Sequence, residues 1–168
     1  STKLFVILLL SGLFVGGLLN LYPSPYNLTS NYQTTKSEVG GMNYFFSHRD
    51  VNIPITGITV APGRFADLLL TPEERSIQRV PYYLEEHKVP WHFGYDNHTS
   101  LVNSYEKETN LIITQKDQLI YVDLFPDIAQ YRFVNNDFER LRDDSGISLI
   151  YSNGGFDMWN IAGGRKAV

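Results

Sequence analysis

The stretch Ile147–Ile161, ISLIYSNGGFDMWNI, decides the fold class. Two runs rich in β-branched and aromatic residues, Ile147–Ser152 and Phe156–Ile161, flank Asn153-Gly154-Gly155. Strand formers on either side of Asn-Gly are a hairpin signal, because a tight turn needs positive φ at its two central residues and Asn and Gly tolerate it best. A lone hairpin is not stable in water, so the rest of the chain must supply strands and helices to cover it.

Working toward the N-terminus, Asn136-Asp137-Phe138-Glu139 reads as a capping-box start of a helix to about Asp143. Leu111–Thr114 (LIIT) and Leu119–Val122 (LIYV), separated by polar Gln115–Gln118, read as strand, turn, strand. A short helix is expected around Leu101–Tyr105 and a strand over Val89–Phe93. Thr71-Pro72-Glu73-Glu74 is a second capping box with proline in the first turn, preceded by a short helical pattern over Arg64–Leu70. Ile53–Val60 (IPITGITV) reads as a strand ending at Ala61-Pro62-Gly63. From Lys36, the spacing of Val39, Met42, Phe45 and Phe46 predicts an amphipathic helix ending near His48, although Gly40 and Gly41 weaken it. The element order predicts a mixed-sheet, layered α/β domain over 36–161 that ends in a β-hairpin, with a loose basic tail over 162–168.

Before that domain the composition changes twice. Residues 23–35, PSPYNLTSNYQTT, carry no charge and read as an extended tether. Leu4–Tyr22, LFVILLLSGLFVGGLLNLY, is also uncharged and interrupted only by Ser11, Asn20 and glycines. As a helix it would measure roughly 28 Å at ~1.5 Å per residue, close to the ~30 Å hydrocarbon core of a bilayer. Residues 1–22 are therefore expected to be a transmembrane helix. A cleavable signal would have a shorter apolar core and a small-residue cleavage site, and a soluble core helix this uniformly apolar would need cover on every side. Lys3 precedes the run and the next cation is Lys36, so the positive-inside bias places the domain outside the cytoplasm in a single-pass topology. Gly12 and Gly16 have the spacing that lets membrane helices approach closely, and glycine is also common in such helices without that role. The expected partners are thus the lipid bilayer, other membrane helices through Gly12 and Gly16, and a glycan.

The whole chain has 168 residues, a formal charge of −4 and no cysteine. The acidic balance argues against nucleic acid, whose phosphates need clustered cations. No disulfide framework, thiol nucleophile or thiolate metal site is available. Trp91-His92-Phe93-Gly94-Tyr95-Asp96-Asn97-His98 is the densest polar and aromatic segment. Trp91, His92, Tyr95 and Asp96 are its candidate carbohydrate-binding residues, since flat rings stack on sugar C–H faces while polar neighbours bond hydroxyls. The competing expectation, which we favour, is that Trp91, Phe93 and Tyr95 alternate along one buried strand face. His92, Asp96 and His98 match no metal-ligand spacing, so no metal and no cofactor are expected. Ser47, His48 and Asp50 are too close in sequence to assemble a catalytic line without a special loop. Asn27-Leu28-Thr29 and Asn97-His98-Thr99 are glycosylation sequons, meaningful only on an exported domain.

One resemblance goes further than these patterns. Asn110–Thr114, the Leu124-Phe125-Pro126 step, Phe133, Asp137–Leu141 and Leu149–Trp159 together resemble the C-terminal extracytoplasmic end of archaeal and bacterial multi-pass membrane proteins related to lipid-linked-sugar glycosyltransferases of the C type. The likeness covers about residues 36–161. It implies a part in surface glycan assembly, but that family's catalytic carboxylates sit in an early loop that this chain does not contain, so no catalytic residue carries over. The expectation is a membrane-anchored extracytoplasmic accessory or interaction domain, non-catalytic by itself. An anchored carbohydrate-binding or sugar-processing enzyme is the alternative, and a pilin-like filament subunit a third reading that the proline-rich break at Pro23–Pro25 disfavours.

Overall fold

The computed structural model describes residues 2–21, 34–60, 62–80 and 88–164. The chain divides into two compact units, Ser1–Gln33 and Thr34–Val168. The first contains helix α1 (Thr2–Leu21). From residue 3 to residue 15 every side chain of α1 is exposed, although only Lys3, Ser11 and Gly12 among them are not large and apolar. Among the described residues no helix is long and apolar enough to cross a membrane. The described side chains of α1 are those of residues 3–15 and 17, which cover only part of the run Leu4–Tyr22.

The second unit is a mixed α/β domain around a four-stranded mixed sheet, as expected. Its elements are α2 (Lys36–His48), β1 (Ile55–Gly57), α3 (Pro62–Leu69), α4 (Pro72–Gln78), β2 (Thr109–Thr114), α5 (Gln115–Leu119), α6 (Pro126–Ala129), α7 (Asn135–Asp143), β3 (Ile147–Ser152) and β4 (Phe156–Ile161). The strand order is β1-β2-β4-β3. β1 runs parallel to β2, while β4 pairs antiparallel with β2 and β3. The β3–β4 register slips between Leu149 and Tyr151, leaving a bulge at Ile150.

Alternation along the strands gives the sheet two cores. Ile112, Phe156 and Met158 face α2 and α3 and join Met42, Phe45, Phe46, Phe65 and Ala66. Leu111, Ile113, Trp159 and Ile161 face the opposite way and join Phe93, Leu101, Tyr121, Phe133, Phe138 and Leu141.

Several expectations hold. The hairpin strands have the expected bounds, α2 buries its Met42-Phe45-Phe46 face, and Thr71 and Glu74 form the reciprocal cap of α4. Gly41, which weakens α2 by propensity, has a packing reason, since a Cβ there would lie 2.3 Å from Phe156 Cγ.

Others are corrected. The hairpin turn has one left-handed residue, Gly154 at φ 85°, rather than two; Asn153 instead accepts the Gly155 N–H on its side-chain oxygen. Leu119–Val122 is not a strand: Asp117 accepts the Thr114 N–H, the Thr114 hydroxyl oxygen accepts the Asp117 N–H, and this cap starts α5, which runs into a π-helical turn over Ile120–Leu124. The strand expected over Ile53–Val60 shrinks to β1, where β2 offers it a partner. Helix α7 is capped two residues earlier than expected, at Val134 rather than Asn136, with the Asp137 carboxylate accepting the Val134 N–H at 2.7 Å. The tether ends before Thr35, which caps α2 through the Glu38 N–H. The tail is held at its start, where Ala162 and Gly164 donate to the Gly146 and Tyr105 carbonyls. Residues 22–33 and 165–168 lie outside the described residues, and with them most of the tether, Asn27 and the end of the tail.

Candidate functional site

The segment singled out by its composition folds into an uncommon backbone. The expected strand over Val89–Phe93 is absent; Trp91–Gly94 instead form a 3₁₀-type turn in which His92 (φ 50°), Phe93 (φ 48°) and Gly94 (φ 75°) are all left-handed. For His and Phe that conformation costs on the order of 1–3 kcal/mol each and persists only where the surroundings impose it. Here the surroundings are explicit. The Phe93 side chain is fully buried, with ring centroids 4.8 Å from Phe133 and 5.6 Å from Phe138. The His92 N–H donates to the Arg132 carbonyl at 3.2 Å, and the Gly94 carbonyl accepts from both Asn97 and His98.

This backbone distributes the candidate residues in three directions. Trp91 points outward and is 59% exposed, which overturns the reading of it as core. The strand alternation failed because a turn that is left-handed at two side-chain-bearing residues does not place positions 91, 93 and 95 on one face. The Arg132 guanidinium carbon sits 4.9 Å from the centroid of the Trp91 ring, a cation–π contact. His92 is partly buried, and its Nδ1–H donates to Asp137 Oδ2 at 3.2 Å. Phe93 and Tyr95 are core, as expected. Asp96, Asn97 and Thr99 are exposed, so the second sequon lies on the surface.

Tyr95 is spent on structure. Its hydroxyl donates to Asp144 Oδ2 at 2.9 Å, and burial together with that hydrogen bond pushes its pKa well above the ordinary phenol value. Asp144 also accepts from the Ser100 hydroxyl and the Leu101 and Gly146 N–H groups. Burial works to raise the Asp144 pKa, but these donors outweigh it and hold the carboxyl below its usual range. Arg140 closes the arrangement, donating to the Tyr95 carbonyl and lying 4.5 Å from its ring centroid.

An imidazole oriented by a carboxylate has the geometry of a general base. Asp137, however, also caps the first turn of α7, so the His92–Asp137 bond is accounted for by the need to fix the turn against that helix. The other sequence candidates do not assemble: Ser47 bonds the Asn43 carbonyl, His48 donates to the Tyr44 carbonyl and stacks on its ring, and Asp50 accepts the Asn52 N–H. Among the described residues no group of three or more His, Asp or Glu side chains gathers as metal ligands. Gly12 has no atom within 4 Å of a Cβ built upon it, and Gly16 is part of α1. Arg132, Asp137, Arg140 and Asp144 were not read as part of this region, because 35 or more residues separate each of them from the turn and local spacing carries no sign of the contact. Asp137 alone had a signal, its place at a helix start.

No protein-family model, no curated protein and no solved structure matches this chain.

Proposed function

We propose that this chain is a membrane-anchored domain standing outside the cytoplasm, which serves as an accessory or interaction module in surface glycan assembly and has no catalysis of its own. The observation that carries the anchor is α1. It is a 20-residue helix in which ten side chains between residues 3 and 15 are large, apolar and exposed, with only Lys3, Ser11 and Gly12 among them of another kind. Apolar area in water costs about 25 cal/mol per Å². A helix with one apolar stripe can hide it against a domain, whereas one apolar all round needs an apolar solvent. At ~1.5 Å per residue the run Leu4–Tyr22 would measure roughly 28 Å as a helix, close to the ~30 Å core of a bilayer, although among the described residues no helix is long and apolar enough to cross one.

Lys3, alone before Lys36, supports the outward placement of the domain. The role in glycan assembly rests on the resemblance of residues 36–161 to the extracytoplasmic ends of C-type glycosyltransferase relatives. The non-catalytic reading is supported by how the buried carboxylates are used, since Asp117, Asp137 and Asp144 all accept from backbone N–H groups.

The test is fractionation and protease shaving of cells carrying the full chain. The protein should stay with membranes through alkaline extraction, and protease added to intact cells should cut within residues 22–33 and release the domain. Extraction at high pH would remove the anchor from the proposal, and cleavage only after lysis would reverse the topology.

A further inference from the structure

We infer that Phe125, Ile128, Tyr131 and Trp91 form a second, weaker membrane contact, a row that lies in the headgroup region of the bilayer in which α1 is anchored. This rests on the anchored reading above.

The row is a product of backbone geometry. The Ile128 N–H donates to the Phe125 carbonyl and the Tyr131 N–H to the Ile128 carbonyl, each a three-residue step. Residues three apart are surface neighbours on a helical turn, so Phe125, Ile128 and Tyr131 follow one another along α6 and the turn after it. They are 51%, 45% and 59% exposed. The inward residues of the same segment, Tyr121 and Phe133, are buried, so the segment is amphipathic rather than loosely packed. The bond from His92 N–H to Arg132 O brings the Trp91 turn to the end of the row, and Arg132 lies between the Trp91 and Tyr121 rings at 4.9 and 5.5 Å.

The composition selects the occupant. An aliphatic and phenyl centre with Tyr, Trp and Arg at one end suits an interface where rings and guanidinium find both apolar and wet surroundings. A sugar needs several hydroxyl-binding groups beside the ring, but the Tyr95 hydroxyl and His92 Nδ1 are already bonded to Asp144 and Asp137, which leaves the exposed Asp96 carboxylate of the expected set. Asp127 lies in the row's own segment and the chain carries −4, so attraction to anionic lipid does not drive the contact and zwitterionic lipid is the fitting surface. Chain length makes a weak contact sufficient. From Leu21 to Thr34 there are 13 residue steps, a reach of at most ~45 Å. That tether keeps the domain at high local concentration beside the membrane.

The full chain, reconstituted in phosphatidylcholine vesicles with and without brominated acyl chains, gives a direct reading. The protein has two tryptophans, and Trp159 is buried in the core. Brominated lipid should quench a large part of the emission, Trp91→Phe should abolish the quenching, and Ile128→Ser, which keeps Trp91, should reduce it; added salt should not. Emission unchanged by bromination while the protein still floats with the vesicles would overturn the row contact and leave the anchor standing. Failure to float would overturn both. Emission that responds to maltohexaose but not to brominated lipid would replace the lipid by a glycan.

Discussion

The two faces of the sheet are covered by different kinds of chain, and they are held by different chemistry. On one face α2 and α3 lie against Ile112, Phe156 and Met158 in a largely apolar contact, where Gly41 brings bare backbone against the Phe156 ring and the buried Glu38 carboxylate turns back to accept the Thr35 N–H. On the other, short turns and α7 cover Leu111, Ile113 and Trp159, and buried carboxylates recur among them. Asp144 gathers four donors from residues 95–101 and 146, Asp137 joins His92 to the start of α7, and Asp117 receives the Thr59 and Thr114 N–H and hydroxyl groups. A helix satisfies its own backbone, so a helical cover needs only shape. Irregular chain leaves N–H groups without partners, and a buried carboxylate is a compact way to satisfy several at once.

That contrast can be broken most forcefully on the helical face. Gly41→Ala should cost about 3 kcal/mol, at the upper end of overpacking, because Phe156 sits in a paired central strand and cannot retreat. Thermal and urea melts measure this, and a variant as stable as its parent would mean that α2 rides higher on the sheet than described.

On the turn face, Asp144→Asn should cost roughly 2–3 kcal/mol at neutral pH, since an amide offers one acceptor atom where four donors converge. The loss should also depend on pH. A carboxylate whose folded pKa is depressed stabilises the fold above its unfolded value near ~4 and loses that contribution as pH falls through the folded value. The stability gap between parent and variant should therefore be full at pH 7 and shrink below pH ~4. A gap that stays constant across that range would assign the effect to shape instead of charge.

The smallest effect belongs to Trp91. As an exposed ring with one cation–π neighbour, its removal in Trp91→Ala should shift stability by no more than about 1 kcal/mol. A loss of several kcal/mol would restore it to the core and erase the row inferred above.

The same contrast explains what could be read in advance. The hairpin, α2 and the Thr71–Glu74 cap are written in neighbouring residues, so propensity, periodicity and capping chemistry located them. Residues 115–124 misled, because LIYV has the composition of a strand while a threonine and an aspartate three residues apart start a helix before it. The Trp91 turn stands out in the sequence by its residues and not by its conformation. Left-handed His and Phe are imposed by Phe133, Phe138 and Arg132, and a contact between residues 40 apart leaves no local trace.

Strand β4 follows the other strands in the chain and yet lies between β2 and β3. During synthesis, then, the sheet cannot be completed before β4 emerges. Until Phe156–Ile161 has left the ribosome, β2 has an open edge, α2 has no Phe156 to seat against, and β3 has no partner. A chain cut short before β4 would leave β2 with an open edge and β3 with no partner.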